Sequence, residues 1–241
     1  PIEPGAGPEE APGTARKARG AAGRAEASAE SGAPLTIGRV QIEGLGGAEA
    51  GHAAAVLQTA LGALPAVLDA RLRGDPERVA RLEALLPRLE GKDLLRVRAP
   101  LAADDDLLLA HPQDHLDAIK AAEPERGIRQ LDPDTWMSPG SLQAALRAAG
   151  GAVRAVDMVL SGEADNAFVA CRPPGHHAET RAPMGFCLFG TVAIAAKHAL
   201  ERHGLERVAI VDFDVHHGNG TQDLVQSDGR ILFVSTHQMP L

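Results

Sequence analysis

The stretch Val208-Ala209-Ile210-Val211-Asp212-Phe213-Asp214-Val215-His216-His217-Gly218 joins a short apolar run directly to a cluster of polar side chains. An apolar run without alternation is typical of a strand covered on both faces, as in a parallel sheet. Two further runs of this kind occupy residues 167–171 and 231–234. A segment of helical character lies between the runs at 167–171 and 208–211. This order predicts a layered α/β fold, in which ligands bind beyond the carboxyl ends of the strands.

Three helices are predicted around these strands. Residues 75–89 begin with Asp-Pro-Glu, which offers an N-cap, a proline in the first turn and a favourable acidic charge. A second helix follows Ser138-Pro139 in the same way, and its apolar residues recur at helical spacing up to residue 160. A third is predicted from about Thr191 to His203 and is closed by Gly204.

The residues before position 75 carry weaker patterns. Residues 1–34 are rich in Ala, Gly, Pro, Glu and Arg, so they predict a disordered low-complexity tail. Residues 35–74 form a poorly defined N-terminal segment, with a weak strand pattern at 35–43 and a helix-like pattern at 52–73 that Pro65 interrupts. Residues 75–241 are therefore expected to form the main domain.

Composition restricts the class of protein. The 241 residues carry a net charge of −8, which gives no general attraction to nucleic acid or to an acidic membrane surface. Two cysteines cannot build a disulfide framework, and no apolar segment reaches the roughly 20 residues of a membrane span. No secretory signal is recognisable at the N-terminus. These features predict a soluble cytoplasmic protein with no direct nucleic-acid or membrane partner; its oligomeric state is not predicted.

The polar cluster after the strand at 208–211 suggests a metal site. Side chains alternate along extended backbone, so Asp212, Asp214 and His216 are expected on one side. A carboxylate and an imidazole at one strand end can both reach a divalent ion, and Gly218 lets the chain turn away. The alternative is a strand cap with histidines that only donate or accept hydrogen bonds.

A second polar cluster follows the strand at 167–171. Prolines and Gly175 are expected to turn the chain so that His176 and His177 lie at the sheet edge. Adjacent histidines can transfer protons near neutral pH, whereas the alternatives are a metal-binding or a structural pair. A third cluster contains Phe186 and Cys187; by itself Phe186 favours a core position, and Cys187 has no basic neighbour to make it a nucleophile.

Taken in order, these clusters closely resemble motifs of the histone deacetylase superfamily, which includes acetoin-utilisation proteins and acetylpolyamine amidohydrolases. The matching segments are Met137-Ser138-Pro139-Gly140-Ser141, Arg172-Pro173-Pro174-Gly175-His176-His177-Ala178, Met184-Gly185-Phe186-Cys187 and residues 212–222. Looser matches lie at 76–78 and 110–112, and Asn219 with Thr221-Gln222 resembles the class II branch. The resemblance covers about residues 75–241, which it implies are the N-terminal two-thirds of a deacetylase domain. It implies a three-layer fold with a mostly parallel sheet flanked by helices, as in arginases and deacetylases, incomplete at its C-terminal end.

The resemblance also implies roles for individual residues. Asp214 and His216 correspond to zinc ligands, His176 and His177 to the catalytic pair, and Asp212 to the residue that orients His176. Gly185 and Phe186 correspond to the channel that grips the acylated side chain. The family also holds a monovalent cation near the zinc, here expected to be K⁺. Its ligand positions are occupied in this sequence by Asp212, Asp214, His216 and Ser235. The implied reaction is zinc-dependent removal of an acetyl group from lysine or from a small acetylated amine, with the histidines as general base and acid.

The sequence departs from the family pattern in several places. A catalytic zinc normally has three protein ligands, yet only two are recognisable, and the chain contains no tyrosine to help stabilise the oxyanion. We therefore expect this chain alone to bind zinc weakly and not to turn over. His115 replaces an aromatic residue, and Phe189-Gly190-Thr191 replaces Phe-Asn-Asn.

Two other functions fit some of these residues. An arginase-like hydrolase with two manganese ions needs further aspartates after the Asp-x-His pair, but His217-Gly218-Asn219 follow instead. A non-catalytic binding protein, or an inactive fragment, could keep the deacetylase scaffold. Within the family, an acetylpolyamine amidohydrolase is a further alternative.

Overall fold

The computed structural model describes residues 54–58 and 79–239. The predicted tail at 1–34, the weak strand at 35–43 and the helix start at 75–77 lie outside these residues. The described elements are the strands β1 to β7 and the helices α1 to α6. In chain order they are β1 Ala54–Gln58, α1 Ala80–Leu89, β2 Leu95–Arg98, α2 Asp104–Leu107, α3 Gln113–Ala122, β3 Arg129–Asp132, β4 Thr135–Met137, α4 Ser141–Leu160, β5 Asn166–Ala170, α5 Thr191–His203, β6 Val208–Asp212, α6 Asn219–Val225 and β7 Ile231–Ser235.

The strands form two parallel sheets and one hairpin. β1 pairs in parallel with both β2 and β5, β6 pairs in parallel with β7, and β3 and β4 form a short antiparallel pair. The predicted α/β class with a mostly parallel sheet flanked by helices is confirmed. The helix-like pattern at 52–73 was wrong at residues 54–58, which form a strand because they pair on both sides with β2 and β5.

Helices α4 and α5 pack together over the sheets and bury the centre of the core. Ile194 and Ala149 are fully buried at this contact. Gly150 permits α4 to approach the loop between β2 and α2, since a Cβ there would lie 2.6 Å from the amide nitrogen of Ala102. α5 ends at Gly204 with a φ of 69°, as the sequence predicted. The helix after Ser138-Pro139 begins at Ser141, because Gly140 takes a left-handed conformation before it.

One face of the β6–β7 sheet is more exposed than its sequence suggests. Val211, Leu232 and Val234 are exposed, whereas Val208, Ile210 and Ile231 on the same strands are buried. β5 and β6 belong to separate sheets within the described residues, and a largely apolar cavity of about 510 Å³ lies between them. The expectation that both faces are covered therefore fails for this sheet, because no described element packs against its outer face.

Candidate active site

The chain segments that follow β5 and β6 meet at the carboxyl ends of these strands, and one contact there joins His176 to Asp212. His176 Nδ1 lies 2.9 Å from Asp212 Oδ2, and both side chains are largely buried. Asp212 is the last residue of β6, so the strand itself holds the carboxylate in place. Gly218 leaves the space that this pair needs, since a Cβ there would overlap Asp212 and lie 3.4 Å from His176 Nδ1.

His177 lies beside His176 and has a different partner. The two ring centres are 4.0 Å apart, and His177 Nδ1 lies 2.6 Å from Asn219 Oδ1. Asn219 is the first residue of α6, and its Nδ2 donates to Glu179 Oε1 at 2.9 Å. Sequence reasoning assigned Asn219 and Glu179 no role, because the three residues meet only through the fold. The one sequence indication was the position of Asn219 in a family-like motif.

Asp214 and His216 lie next to the histidine pair. His216 Nδ1 is 3.1 Å from Asp214 Oδ1, and the rings of His216 and His177 are 6.1 Å apart. The backbone amide of Asp214 donates to Asp212 Oδ1 at 3.1 Å, so the carboxylate of Asp212 holds this loop as well as His176. The four predicted side chains, the two histidines of the pair with Asp214 and His216, therefore lie around one position.

Burial and hydrogen bonding set the charge of this group of side chains. Burial lowers the pKa of His177, which favours its neutral form. Burial alone would raise the pKa of Asp212, but the hydrogen bonds from His176 and from the Asp214 amide outweigh it, and the pKa is lowered. The pKa of Asp214 is lowered for the same reason, because contacts with His216 and His176 outweigh burial. Both carboxylates are therefore ionised at neutral pH.

Gly185 and Phe186 form a strained turn that packs against this group. Gly185 has a φ of 55° and Phe186 a φ of 67°, the latter unusual for a residue with a side chain. Their backbone amides donate to Asp134 Oδ1 and Thr135 Oγ1, each at 3.0 Å. A Cβ on Gly185 would overlap the ring of His177. The predicted channel residues thus lie against the predicted catalytic pair, although their role in binding a substrate stays a prediction.

Ser235 lies at the far side of Asp212. It is the last residue of β7 and pairs in register with Asp212 of β6. Its Oγ is 2.9 Å from His237 Nδ1 and 3.4 Å from His217 Nδ1. The structure therefore places two of the four residues predicted to bind the cation, Asp212 and Ser235, at the ends of neighbouring strands.

The two family departures are accommodated in the core. His115 is buried, and its Nε2 contacts Leu188 O at 2.9 Å. Gly190, which replaces an asparagine of the family pattern, donates its amide to His111 Nε2 at 2.9 Å. The ring of His111 also stacks on that of His115, with centres 4.5 Å apart. Because His115 belongs to α3, these contacts tie the start of α5 to α3 and to the turn before it.

The donor atoms of Asp214 and His216 are of the kind that zinc prefers. A carboxylate oxygen and an imidazole nitrogen 3.1 Å apart can both bind one ion without moving far. They supply two protein ligands where a catalytic zinc usually has three. Within residues 54–58 and 79–239, the only three His, Cys, Asp or Glu side chains whose ligand atoms lie within 4.8 Å of one another are Asp157, His198 and His203, on other elements.

Comparisons with known proteins agree on one family. Residues 75–241 match the histone deacetylase domain. The chain is 46% identical over 164 residues to the histone deacetylase-like amidohydrolase of Pseudomonas aeruginosa, covering 68% of this chain and 43% of that protein. It is 41% identical over 172 residues to a probable deacetylase of Archaeoglobus fulgidus, covering 69% of this chain and 47% of that protein. The human polyamine deacetylase HDAC10 is 37% identical over 171 residues, 67% of this chain and 26% of that protein.

A solved structure gives the same result. The HDA15 HD domain aligns with a TM-score of 0.65 and 35% identity, covering 68% of this chain and 48% of that one. The chain thus spans less than half the length of each of these relatives. The match of residues 75–241, the shared fold and the order of the His and Asp motifs lead to one conclusion: the chain belongs to the histone deacetylase superfamily.

Proposed function

We propose that this chain supplies the histidine pair and two metal ligands of a zinc-dependent acyl-amide hydrolase. The observation that carries the proposal is the convergence of His176, His177, Asp214 and His216 on one position, with the rings of His177 and His216 6.1 Å apart. A metal ligand pair beside two proton-transfer groups is the arrangement that metal-assisted hydrolysis requires.

The hydrogen bonds define what each histidine does. Asp212 engages Nδ1 of His176 and Asn219 engages Nδ1 of His177, so proton transfer falls to the Nε2 atom of each ring. One imidazole accepts a proton from the attacking water, and the other delivers a proton to the leaving amine. Asp212 and Asn219 are positioning residues, because they act through the rings they hold. A zinc ion bound by Asp214 and His216 would supply a polarised amide carbonyl and a water of lowered pKa.

The substrate class follows from the same site and the family. Gly185 and Phe186 would line the channel for a slender acylated side chain, and acetyl-lysine or a small acetylated amine has that shape. Asp212, Asp214, His216 and Ser235 would hold a K⁺ ion. Residues 75–241 would belong to the deacetylase domain, preceded by the segments 1–34 and 35–74, and we expect a cytoplasmic protein. Among the described residues, no helix is both long and apolar enough to cross a bilayer.

Zinc titration and turnover together test the proposal. In an Asp157→Asn background, which removes one residue of the separate Asp157, His198 and His203 group, we expect the 241-residue chain to bind Zn²⁺ weakly at Asp214 and His216. There, Asp214→Asn or His216→Gln should reduce the affinity at least tenfold, and a control such as His237→Gln should leave it unchanged. A family-length protein that contains this chain should hydrolyse an acetyl-lysine peptide or an acetylated diamine, and His176→Gln should lower kcat at least 100-fold. Loss of zinc binding in the control, or full activity in His176→Gln, would contradict the proposal.

A second candidate function is a zinc-binding scaffold that does not hydrolyse amides. Among the described residues, Asp214 and His216 lie in no group of three candidate ligands, and this observation favours the second candidate. The same assays separate the two functions. A family-length protein that binds zinc at Asp214 and His216 but turns over no acylated amine supports the scaffold.

A further inference from the structure

Three side chains on the two packed helices α4 and α5 converge away from the proposed active-site loops. Nε2 of His198 lies 2.7 Å and Nε2 of His203 lies 2.8 Å from the same oxygen, Oδ1 of Asp157. The three ligand atoms all lie within 4.8 Å of one another. Both imidazole nitrogens therefore face one oxygen of the Asp157 carboxylate, and neither contacts the other oxygen.

His198 carries a second observation that points to a ligand. The residue is only 7% exposed, and its Nδ1 is buried with no hydrogen-bond partner. Burying a polar atom without a hydrogen-bond partner is unfavourable, so this atom calls for an explanation. Behind it lies Asp106 of α2, with Oδ1 3.7 Å from Nδ1.

A metal ion on Nε2 would account for both observations. When Nε2 binds a metal, the ring of a neutral histidine must carry its proton on Nδ1. In His198 that proton would face Asp106, and a carboxylate behind a ligating histidine is the usual arrangement at metal sites. Closing the gap from 3.7 Å to a hydrogen bond needs less than about 1 Å of side-chain movement.

The site is accessible from solvent on one side. The side chains of Asp157 and His203 are 36% and 28% exposed, whereas that of His198 is 9% exposed. His203 is the last residue of α5, so it can move without disturbing the helix. A hydrated ion can therefore reach the two outer ligands first and then the buried ring.

We propose that Asp157, His198 and His203 bind a transition-metal dication that joins α4 to α5, with Asp106 orienting His198. Two imidazoles and one carboxylate favour Zn²⁺, Co²⁺ or Ni²⁺ over Mg²⁺ or Ca²⁺, which prefer oxygen ligands. In a tetrahedral site with bonds of about 2.1 Å, ligand atoms lie about 3.4 Å apart. The separations here, from 2.7 Å up to at most 4.8 Å, bracket that value. This site is independent of Asp214 and His216.

The test uses the full chain in a background that lacks the other metal ligands. In the double variant Asp214→Asn/His216→Gln, calorimetric titration with Zn²⁺ should still show about one equivalent bound, and Co²⁺ should give a visible absorption band. Adding Asp157→Asn or His203→Gln should weaken Zn²⁺ binding at least tenfold. The matched control Glu163→Gln removes a nearby charge that pairs with Arg154, and it should leave binding unchanged.

Each result decides the proposal. No Zn²⁺ bound by the double variant would overturn it, because only a hydrogen-bonded Asp–His cluster would then remain. An equal loss in Asp157→Asn and Glu163→Gln would also overturn it, since the binding would then reflect general surface charge. Asp106→Asn keeps the side-chain shape and should weaken binding about tenfold if it orients His198. Circular dichroism of every variant checks that the fold is kept.

Discussion

Lowering the pH should destabilise the chain through His111, which is buried and neutral in the fold. Its Nε2 accepts the Gly190 amide proton at 2.9 Å, so Nδ1 must carry the ring proton that faces Thr180 O at 3.2 Å. A protonated ring would direct an N–H at the Gly190 N–H. Burial, with a smaller effect of neighbouring His115, lowers the pKa of His111 from 6.5 to about 4.

The direction and size of the change in stability follow from the difference between the pKa of His111 in the unfolded chain and in the folded chain. Between pH 6.5 and pH 4 the unfolded chain binds a proton at this residue and the folded chain does not, so stability falls as the pH falls. The stabilisation is present above pH 6.5, and about 2 kcal/mol of it is lost between pH 7 and pH 5. The full loss approaches about 3 kcal/mol below pH 4.

Urea denaturation at pH 7 and pH 5 measures the effect, with His111→Gln as the comparison. The glutamine oxygen can still accept the Gly190 amide, but the side chain does not titrate. We expect His111→Gln to be less stable than the parent at pH 7 and to lose about 2 kcal/mol less on going to pH 5. An equal loss in both proteins would refute the assignment of a neutral, buried His111.

Three further predictions concern the site and the cavity. In urea unfolding, Gly185→Ala should destabilise the chain by about 1–3 kcal/mol more than Gly127→Ala. Both glycines have positive φ, but only Gly185 lies against His177. Equal losses of stability would mean that the His177 ring moves aside without cost. In an Asp157→Asn background, Asp212→Ala should lower the Zn²⁺ affinity of the Asp214 and His216 site about 10- to 100-fold in a chelator competition, because it frees the Asp214 amide and His176. Unchanged affinity would show that the loop keeps its shape without Asp212. The apolar cavity between β5 and β6 should bind anilinonaphthalene sulfonate with enhanced fluorescence in the native chain, and a signal no higher than that of a closed globular protein would contradict an open cavity.

Sequence patterns within a few residues predicted the bounds of individual helices and strands, but not the pairing of distant strands. α5 was expected from about Thr191 to His203 and has those bounds, since its apolar spacing and the Gly204 cap act within a few residues. The strand expected at 167–171 forms at 166–170. Residues 54–58 were not predicted as a strand, because their pairing with two distant strands outweighs local preference.

In the candidate site, too, the sequence indicated residues that are close along the chain but not contacts between distant ones. Asp212, Asp214 and His216 were expected to share one side through strand alternation, but the strand ends at Asp212 and the other two lie in a bend. Their proximity comes instead from the Asp214 amide bond to Asp212 and from the contact of His216 with Asp214. The link from His177 to Asn219 spans 42 residues, and no local pattern reports it. The cluster of Asp157 with His198 and His203 likewise joins two helices, and each of its residues looks like an ordinary polar position in the sequence.

Crystals of the chain grown with Zn²⁺ and measured at the zinc absorption edge give the most direct test of the hydrolase site. We predict an anomalous peak within bonding distance, about 2 Å, of both the Asp214 carboxylate and His216 Nδ1, beside the rings of His176 and His177. Zinc found in the crystal but absent from that position, with Asp214 and His216 still hydrogen-bonded to each other, would contradict the assignment.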